Sequence, residues 1–449
     1  LNHMFKRTLA ILVVVPVLMM TIFSAPGSAS AAEDLGLRVD AAILVDADTG
    51  QILYGKDEDA TLGIASMSKM MTEYLLFEAI EEGRITWDQE YTVSDYAYTI
   101  SQDRRLSNVP LRNGEKYSIQ ELYEALAIYS ANGATIGIAE TLAGSETEFI
   151  KLMNKKAEEL GLKDYKFVNS TGLNNSYLQG MQPKGTGEND ENVMPAKSVA
   201  LLAYHLLKDY PEVLETTSIP KKVFREGTSD AIQMDNWNFM LPGLVYEYEG
   251  VDGLKTGTTE LAGHAFTGTA KRGDTRLIAV VMKAVDENGN GSYKARFDAA
   301  RTLFDYGFNQ FVKEEILPAD HKFKGNETLP VNKGKEKEVK IGLEEPVTML
   351  VRSSEKDKYK AEFAADESKL KDGELEAPVK EGTVVGKANI VHTEGQPVYG
   401  NVDGTPASFD VVTKAGVEKA GWFSLTLQAI GDFFSGIWDK ATGWVKGLF

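Results

Sequence analysis

Three short motifs occur in order along the 449-residue chain: Ser66-Met67-Ser68-Lys69, Ser130-Ala131-Asn132 and Lys255-Thr256-Gly257. Together their residue types could supply a nucleophile, a base, a proton relay and a carboxylate clamp, the equipment for acyl transfer through a serine ester. Residues i and i+3 share a helix face, so Ser66 and Lys69 would point into one space. A serine hydroxyl is a poor nucleophile until a base takes its proton. Lysine can be that base if burial and a second cation bring its pKa far below the ordinary value of about 10.4. Lys255 is the candidate for that cation. Ser66 is expected at the start of a helix, where its own backbone N–H is free to donate to a developing oxyanion.

Ser-x-x-Lys alone is weak, since it also occurs at Ser218, Ser353 and Ser368. Ser218-Ile219-Pro220-Lys221 contains a proline, which argues against a helix interior, and the other two lie in lysine- and glutamate-rich text. Only Ser66 opens a long helical pattern. Met67, Met70, Met71, Tyr74, Leu75 and Ile80 are its apolar positions and Gly83 its stop. Ser130-Ala131-Asn132 follows an apolar helix-like run, Leu122 to Tyr129, and reads equally as a cap or turn. Lys255-Thr256-Gly257 precedes a hairpin, with strands His264–Ala270 and Arg276–Ala284 around Arg272-Gly273-Asp274. Gly257 would let a substrate backbone lie close along that strand edge.

The elements that must position these residues follow from changes of pattern. Strand Ala42–Val45, a turn over 46–50 and strand Gln51–Tyr54 come first, helical runs fill the middle, and the hairpin comes last. Over residues 32–312 this order predicts an α+β catalytic domain, an antiparallel sheet with helices packed on it. From 313 to 415 short strands and recurring turns predict a small β-rich domain carrying no catalytic constellation. At the start, Lys6 and Arg7 precede an apolar run, Leu9 to Phe23, and Ala29-Ser30-Ala31 fits signal cleavage near Ala31, so residues 1–31 are expected to be a secretion signal. Over 416–449, Trp422, Phe423, Leu427, Ile430, Phe434, Ile437, Trp438, Ala441, Val445 and Leu448 recur at spacings of three and four. Asp432, Asp439, Lys440 and Lys446 interrupt any spanning stretch, so this amphipathic helix is expected to lie on a membrane surface rather than cross it.

Composition narrows the choice. A net charge of −18 argues against nucleic-acid binding. Zero cysteines exclude disulfides, thiolate metal sites and a cysteine nucleophile. The five histidines show no zinc-binding spacing, so neither metal nor cofactor is expected. A Ser-His-Asp triad through His264 competes with the lysine base.

The sequence resembles the low-molecular-weight penicillin-binding proteins of the serine D-alanyl-D-alanine carboxypeptidase type, from about Leu37 to Phe449. Beyond the trio the likeness rests on Phe167-Val168-Asn169-Ser170-Thr171-Gly172-Leu173, Asn236-Trp237-Asn238 and Asp305-Tyr306-Gly307-Phe308. The resemblance implies a penicillin-binding-protein/β-lactamase-like catalytic fold and an extracytoplasmic enzyme removing the terminal D-alanine from peptidoglycan stem pentapeptides. It implies acylation by β-lactam antibiotics as well. By its roles, Ser66 forms the acyl-enzyme, Lys69 is the general base and Ser130 relays a proton to the leaving nitrogen. Asn132 holds a substrate amide, and Lys255 and Thr256 bind the terminal carboxylate beside Gly257. The backbone N–H groups of Ser66 and Thr258 form the oxyanion hole. Departures are small: His264 and Ala265 stand where many relatives carry a cysteine, and Ser198 where aspartate is common. Two other readings compete. A serine β-lactamase needs a fast deacylating base, and the Glu-x-x-Leu-Asn segment that supplies it in class A enzymes is absent between Ser130 and Lys255. A non-catalytic wall-binding protein would not be expected to keep the trio intact.

Overall fold

The structure, a computed structural model, describes residues 34–395 and 398–421. The expected signal over 1–31 and the apolar pattern from Trp422 onwards lie outside these residues.

Strands β1 (Ala41–Asp46) and β2 (Ile52–Lys56) form the opening hairpin. Strands β3 (Val251–Thr259), β4 (Gly263–Arg272) and β5 (Thr275–Met282) close the region. The five make one antiparallel sheet in the order β2-β1-β5-β4-β3, with Ala41 opposite Met282 and Asp46 opposite Leu277. The first and last segments of the catalytic region thus pair at the sheet centre, which brings distant text together. Every residue of β1 is buried, and strand side chains alternate between faces, so both faces of the sheet are covered. On one face Ile43 and Val45 join a core with Val199 and Leu202 of α5 (Ala196–Asp209). On the other, Leu44 and Leu277 meet Gly307 of α6 (Tyr293–Gln310), where a Cβ would come within 2.5 Å of Leu277.

The helical layer contains α1 (Lys69–Glu81), α2 (Ile119–Tyr129), α3 (Asn132–Ala143) and α4 (Glu146–Glu159). Residues 69–77 of α1 are all buried. A helix enclosed on every side can carry a dry lysine, as the sequence requires. Its first turn departs from expectation: Ala65–Ser68 is a 3-10 turn and the α-helix proper begins at Lys69. Gly83, with φ +68°, lies just beyond its C-terminal end, as predicted. A capping box between Ser118 and Glu121 starts α2, which ends at Ser130 in the left-handed conformation, φ 57°.

The strand β6 (Phe311–Leu317) leaves α6 directly and pairs with Val347–Arg352. A six-stranded sheet follows, running from Tyr359–Ala365 at one edge to Leu375–Glu376 at the other. Leu317, Val339, Ile341, Met349 and Val411 form part of its separate core. Residues 416–421, expected in the terminal helix, are instead extended. Val417 bridges Val379 and is 3% exposed, and Lys419 bridges Gly334, so tertiary pairing claims this stretch for the β-rich domain. This domain docks on the β1–β2 turn: Gln51 Nε2 donates to Leu350 O (2.9 Å), and Val402 N donates to Gly50 O (2.8 Å). That turn joins β2, the sheet edge opposite the Lys255 strand.

Candidate active site

The nucleophile candidate sits on a constrained turn. Ala65, just before Ser66, has φ 45°, a conformation costly for a non-glycine residue. Neighbours hold it there. Ser68 Oγ donates to Ala65 O (2.7 Å) and accepts from Asn192 Nδ2 (2.8 Å). Asn192 Oδ1 in turn accepts from Val168 N and Asn169 N, tying the loop 168–173 to the turn. A Cβ at Gly172 would meet Ala65 O at 1.8 Å, so only glycine fits that approach. At Gly257 a Cβ would meet Ile64 O at 2.6 Å. The glycine expected to admit a substrate backbone therefore serves close packing of the strand against the turn that holds Ser66.

Lys69 is fully buried, and its Nζ lies 3.0 Å from Ser66 Oγ, 2.9 Å from Asn132 Oδ1 and 2.7 Å from Thr171 O. Asn132 Oδ1, tied to Lys69, and the Thr171 carbonyl can only accept. A neutral amine would give both its N–H groups to them and turn its lone pair on the serine hydroxyl. Burial pushes the Lys69 pKa well below the ordinary lysine value, and the nearby Lys255 charge pushes it further. Geometry and electrostatics thus favour the same protonation state. The His264 ring packs on the cleft residue Tyr293 (5.2 Å between centroids), and no hydrogen bond joins it to Ser66 among the described residues. Among the described residues, Lys69 is the base that reaches Ser66 Oγ.

Asn132 is already engaged at both ends, because Nδ2 donates to Ser107 O (3.0 Å). One N–H of Nδ2 remains for a ligand. Ser130, at the α2–α3 junction, is 4% exposed and lines the cleft with Ser66, Thr256 and Thr258. This cleft measures about 80 Å³. Lys255 is 3% exposed, and its Nζ donates to Thr256 O (3.2 Å). Burial lowers its pKa to about 8, with Arg296 lowering it and Glu73 opposing.

Three groups were not singled out from sequence. Arg296 is 1% exposed and lines the cleft; its Nη1 lies 3.0 Å from Gly257 O, Ala265 O and Thr258 Oγ1, stapling β3 to β4. Glu73, one turn beyond Lys69 on α1, is 1% exposed. Glu146 is buried near Lys69, with Oε1 accepting from Ser170 N (2.8 Å) and Oε2 from Tyr96 (2.7 Å). Lone charges among ordinary helical text carry no spacing signal. Trp237, part of the quoted Asn236-Trp237-Asn238, forms a cleft wall and donates Nε1–H to Tyr129 O (3.1 Å).

The profile of the D-alanyl-D-alanine carboxypeptidase family matches residues 28–286, and that of the penicillin-binding protein 5 C-terminal domain matches 311–419. The chain is 31% identical over 403 residues to the D-alanyl-D-alanine carboxypeptidase DacF of Bacillus subtilis, covering 89% of this chain and 91% of that one. Among solved structures it is similar to a peptidoglycan synthesis regulatory factor (PBP3) from Streptococcus pneumoniae, at 33% identity and a TM-score of 0.69 over 85% of this chain and 100% of that one. Penicillin-binding protein 5 from Haemophilus influenzae is similar at 25% identity and a TM-score of 0.67, over 85% and 98%. The chain belongs to the family of serine-type D-alanyl-D-alanine carboxypeptidases.

Proposed function

We propose that Ser66 carries the acyl-enzyme in this carboxypeptidase reaction, and that the substrate is a peptidoglycan stem peptide ending in D-alanyl-D-alanine. The observation that carries this reading is the 3.0 Å approach of the buried Lys69 amine to Ser66 Oγ. Lys69 takes the serine proton as Oγ attacks the penultimate D-alanine carbonyl. The N–H groups of Ser66 and Thr258 receive the oxyanion. Ser130 passes a proton to the departing D-alanine nitrogen, and Asn132 offers its remaining N–H to a substrate amide. Lys255 and Thr256, with Arg296 behind them, take the terminal carboxylate. Water then hydrolyses the ester. Release of D-alanine from a diacyl-Lys-D-Ala-D-Ala peptide tests the assignment; no release would end it.

A β-lactam presents the same carbonyl and carboxylate, so it enters the same site and acylates Ser66. Slow release distinguishes this reading from a β-lactamase. Glu146 is occupied by Ser170 and Tyr96. Glu73 lies seven residues from Ser66, roughly 10 Å along a helix axis. Neither is poised to activate water against the ester.

Lys255→Ala is expected to weaken the acid substrate by roughly 2–5 kcal/mol, the cost of truncating a buried charge pair. A peptide amide, lacking the carboxylate charge, should be a poor wild-type substrate and lose little more in the variant. Comparing kcat/KM for acid and amide in both enzymes checks this, and equal losses would give Lys255 another role.

The chain reads as a cleaved signal over 1–31, a catalytic region to about 310, a β-rich pedestal to 421, and an anchor beyond it on the outer face of the cytoplasmic membrane. Fully buried large apolar side chains contribute roughly 1.5–3 kcal/mol each, and interfacial insertion of about ten recovers part of that. Because the charges from 417 to 449 balance, binding should survive molar salt. A chain ending at Gly421, which keeps the Val417 pairing, should be active on a small peptide and stay off liposomes that the full chain joins. Flotation in high salt checks this; equal binding by both chains would remove the anchor.

A further inference from the structure

Glu73 sits where a carboxylate is expensive. It is 1% exposed, and its Oε1 has no hydrogen-bond partner among the described residues. At i+4 from Lys69 it shares that residue's face of α1, and it interacts with both Lys69 and Lys255. Tyr123 on α2 is within electrostatic reach of it. Arg296 on α6 acts on Lys255, and Glu146 on α4 acts on Lys69. A buried carboxylate with an oxygen left without a hydrogen bond is costly. Helix formation and apolar packing would be served as well by leucine.

The chemistry of the site gives the carboxylate a task. The reaction needs two buried lysines in opposite states, Lys69 neutral to accept a proton and Lys255 charged to bind a carboxylate. A dry pocket favours zero net charge. With Glu73 ionised, one charged lysine balances it, and the amine facing Ser66 is the one left neutral. Without that negative charge, burial and Arg296 together would strip Lys255 as well. We propose that Glu73 is a positioning residue whose carboxylate is the internal counter-charge keeping Lys255 cationic while Lys69 stays neutral. Substrate carboxylate arriving at Lys255 then competes with Glu73, which takes up one proton from solvent and stays neutral while the ligand is bound.

Activity rises as Lys69 loses its proton and falls as Lys255 loses its own near pH 8. Both lysines are held up by Glu73. Glu73→Gln, nearly isosteric, should therefore move both limbs of the pH profile for penicillin acylation toward acid, the alkaline limb by about one unit or more. At pH 8 the loss should appear in ligand affinity, with the limiting acylation rate little changed. Glu73→Asp, which restores the charge, should return the alkaline limb toward wild type. A structural role alone would lower stability and leave the profile in place.

The inference rests on Lys69 as base and Lys255 as clamp, and the two failures separate. Lysine variants that acylate at the wild-type rate would remove that reading. Inactive lysine variants alongside an unmoved Glu73→Gln profile would remove only the role of Glu73. The wild-type chain gives an independent check through infrared spectra with 13C-labelled glutamate. Burial raises the Glu73 pKa to about 7. A labelled carboxylic-acid band should therefore titrate near neutrality, gain intensity when penicillin binds, and vanish in Glu73→Asp. No such band, or one unchanged by that substitution, overturns the proposal.

Discussion

Ser66→Ala should abolish the covalent penicillin adduct, leave the fold intact and reduce D-alanine release on the order of a million-fold, the scale seen when a serine nucleophile is removed from a catalytic unit. The loss should be in chemistry. Ser66 is only partly buried, and its turn is held by Ser68, Asn192 and Gly172, none of which the substitution touches. Lys69 keeps its contacts to Asn132 Oδ1 and Thr171 O, so the amine stays in place when Oγ goes. Intact-protein mass spectrometry after penicillin treatment checks the first part. Wild type should gain one adduct, mapped to the peptide holding Ser66, and the variant none. An unchanged thermal midpoint within a few degrees checks the second. An adduct on another residue, or one surviving in Ser66→Ala, would place the chemistry elsewhere.

The parts of this site legible in sequence are those whose geometry is local. Ser66 and Lys69 are three residues apart, so periodicity alone predicts that they meet. Ser130 and Asn132 were candidates by type and order. The partners of Asn132, Ser107 O and the Lys69 amine 63 residues away, are fixed by tertiary packing. The 3-10 entry to α1 was not legible, because Asn192 and Gly172 impose it from across the fold. Gly257 was noticed, but the atom it makes room for, Ile64 O, belongs to a segment nearly two hundred residues earlier. Glu73 and Arg296 look like ordinary surface charges of amphipathic helices. Only the enclosure of α1 and the covering of both sheet faces make them buried.

The same contrast explains the larger elements. The central strands β1 and β5 were predictable because they are apolar runs bounded by turns, and their pairing follows from strands placed first and last. The 416–421 stretch misled because its apolar and charged residues continue smoothly into the helical pattern beyond. What makes it extended is a tertiary partner, Val379 on a distant segment.

Lys69→Arg should retain ligand binding and lose acylation by roughly 10²–10⁴-fold, the range contributed by a positioned general base. Arginine keeps the positive charge but cannot surrender its proton at working pH. In wild type, burial and Lys255 hold the lysine pKa down, so the neutral amine is available. A guanidinium at this position has no lone pair to offer Ser66, and its fixed charge sits next to Lys255, with Glu73 and Glu146 as the nearby carboxylates. The proposed carboxylate clamp at Lys255 and Thr256 is not altered, so the ligand should still be recognised. Pre-steady-state acylation with a fluorescent penicillin separates the two quantities. Saturation should occur at concentrations within a few-fold of wild type, and the limiting rate should fall. Raising the pH toward 10 should not rescue it, since no accessible pH deprotonates the guanidinium. Acylation near the wild-type rate would mean that another group removes the Ser66 proton. Lost saturation with an unchanged limiting rate would make Lys69 a binding residue rather than a base.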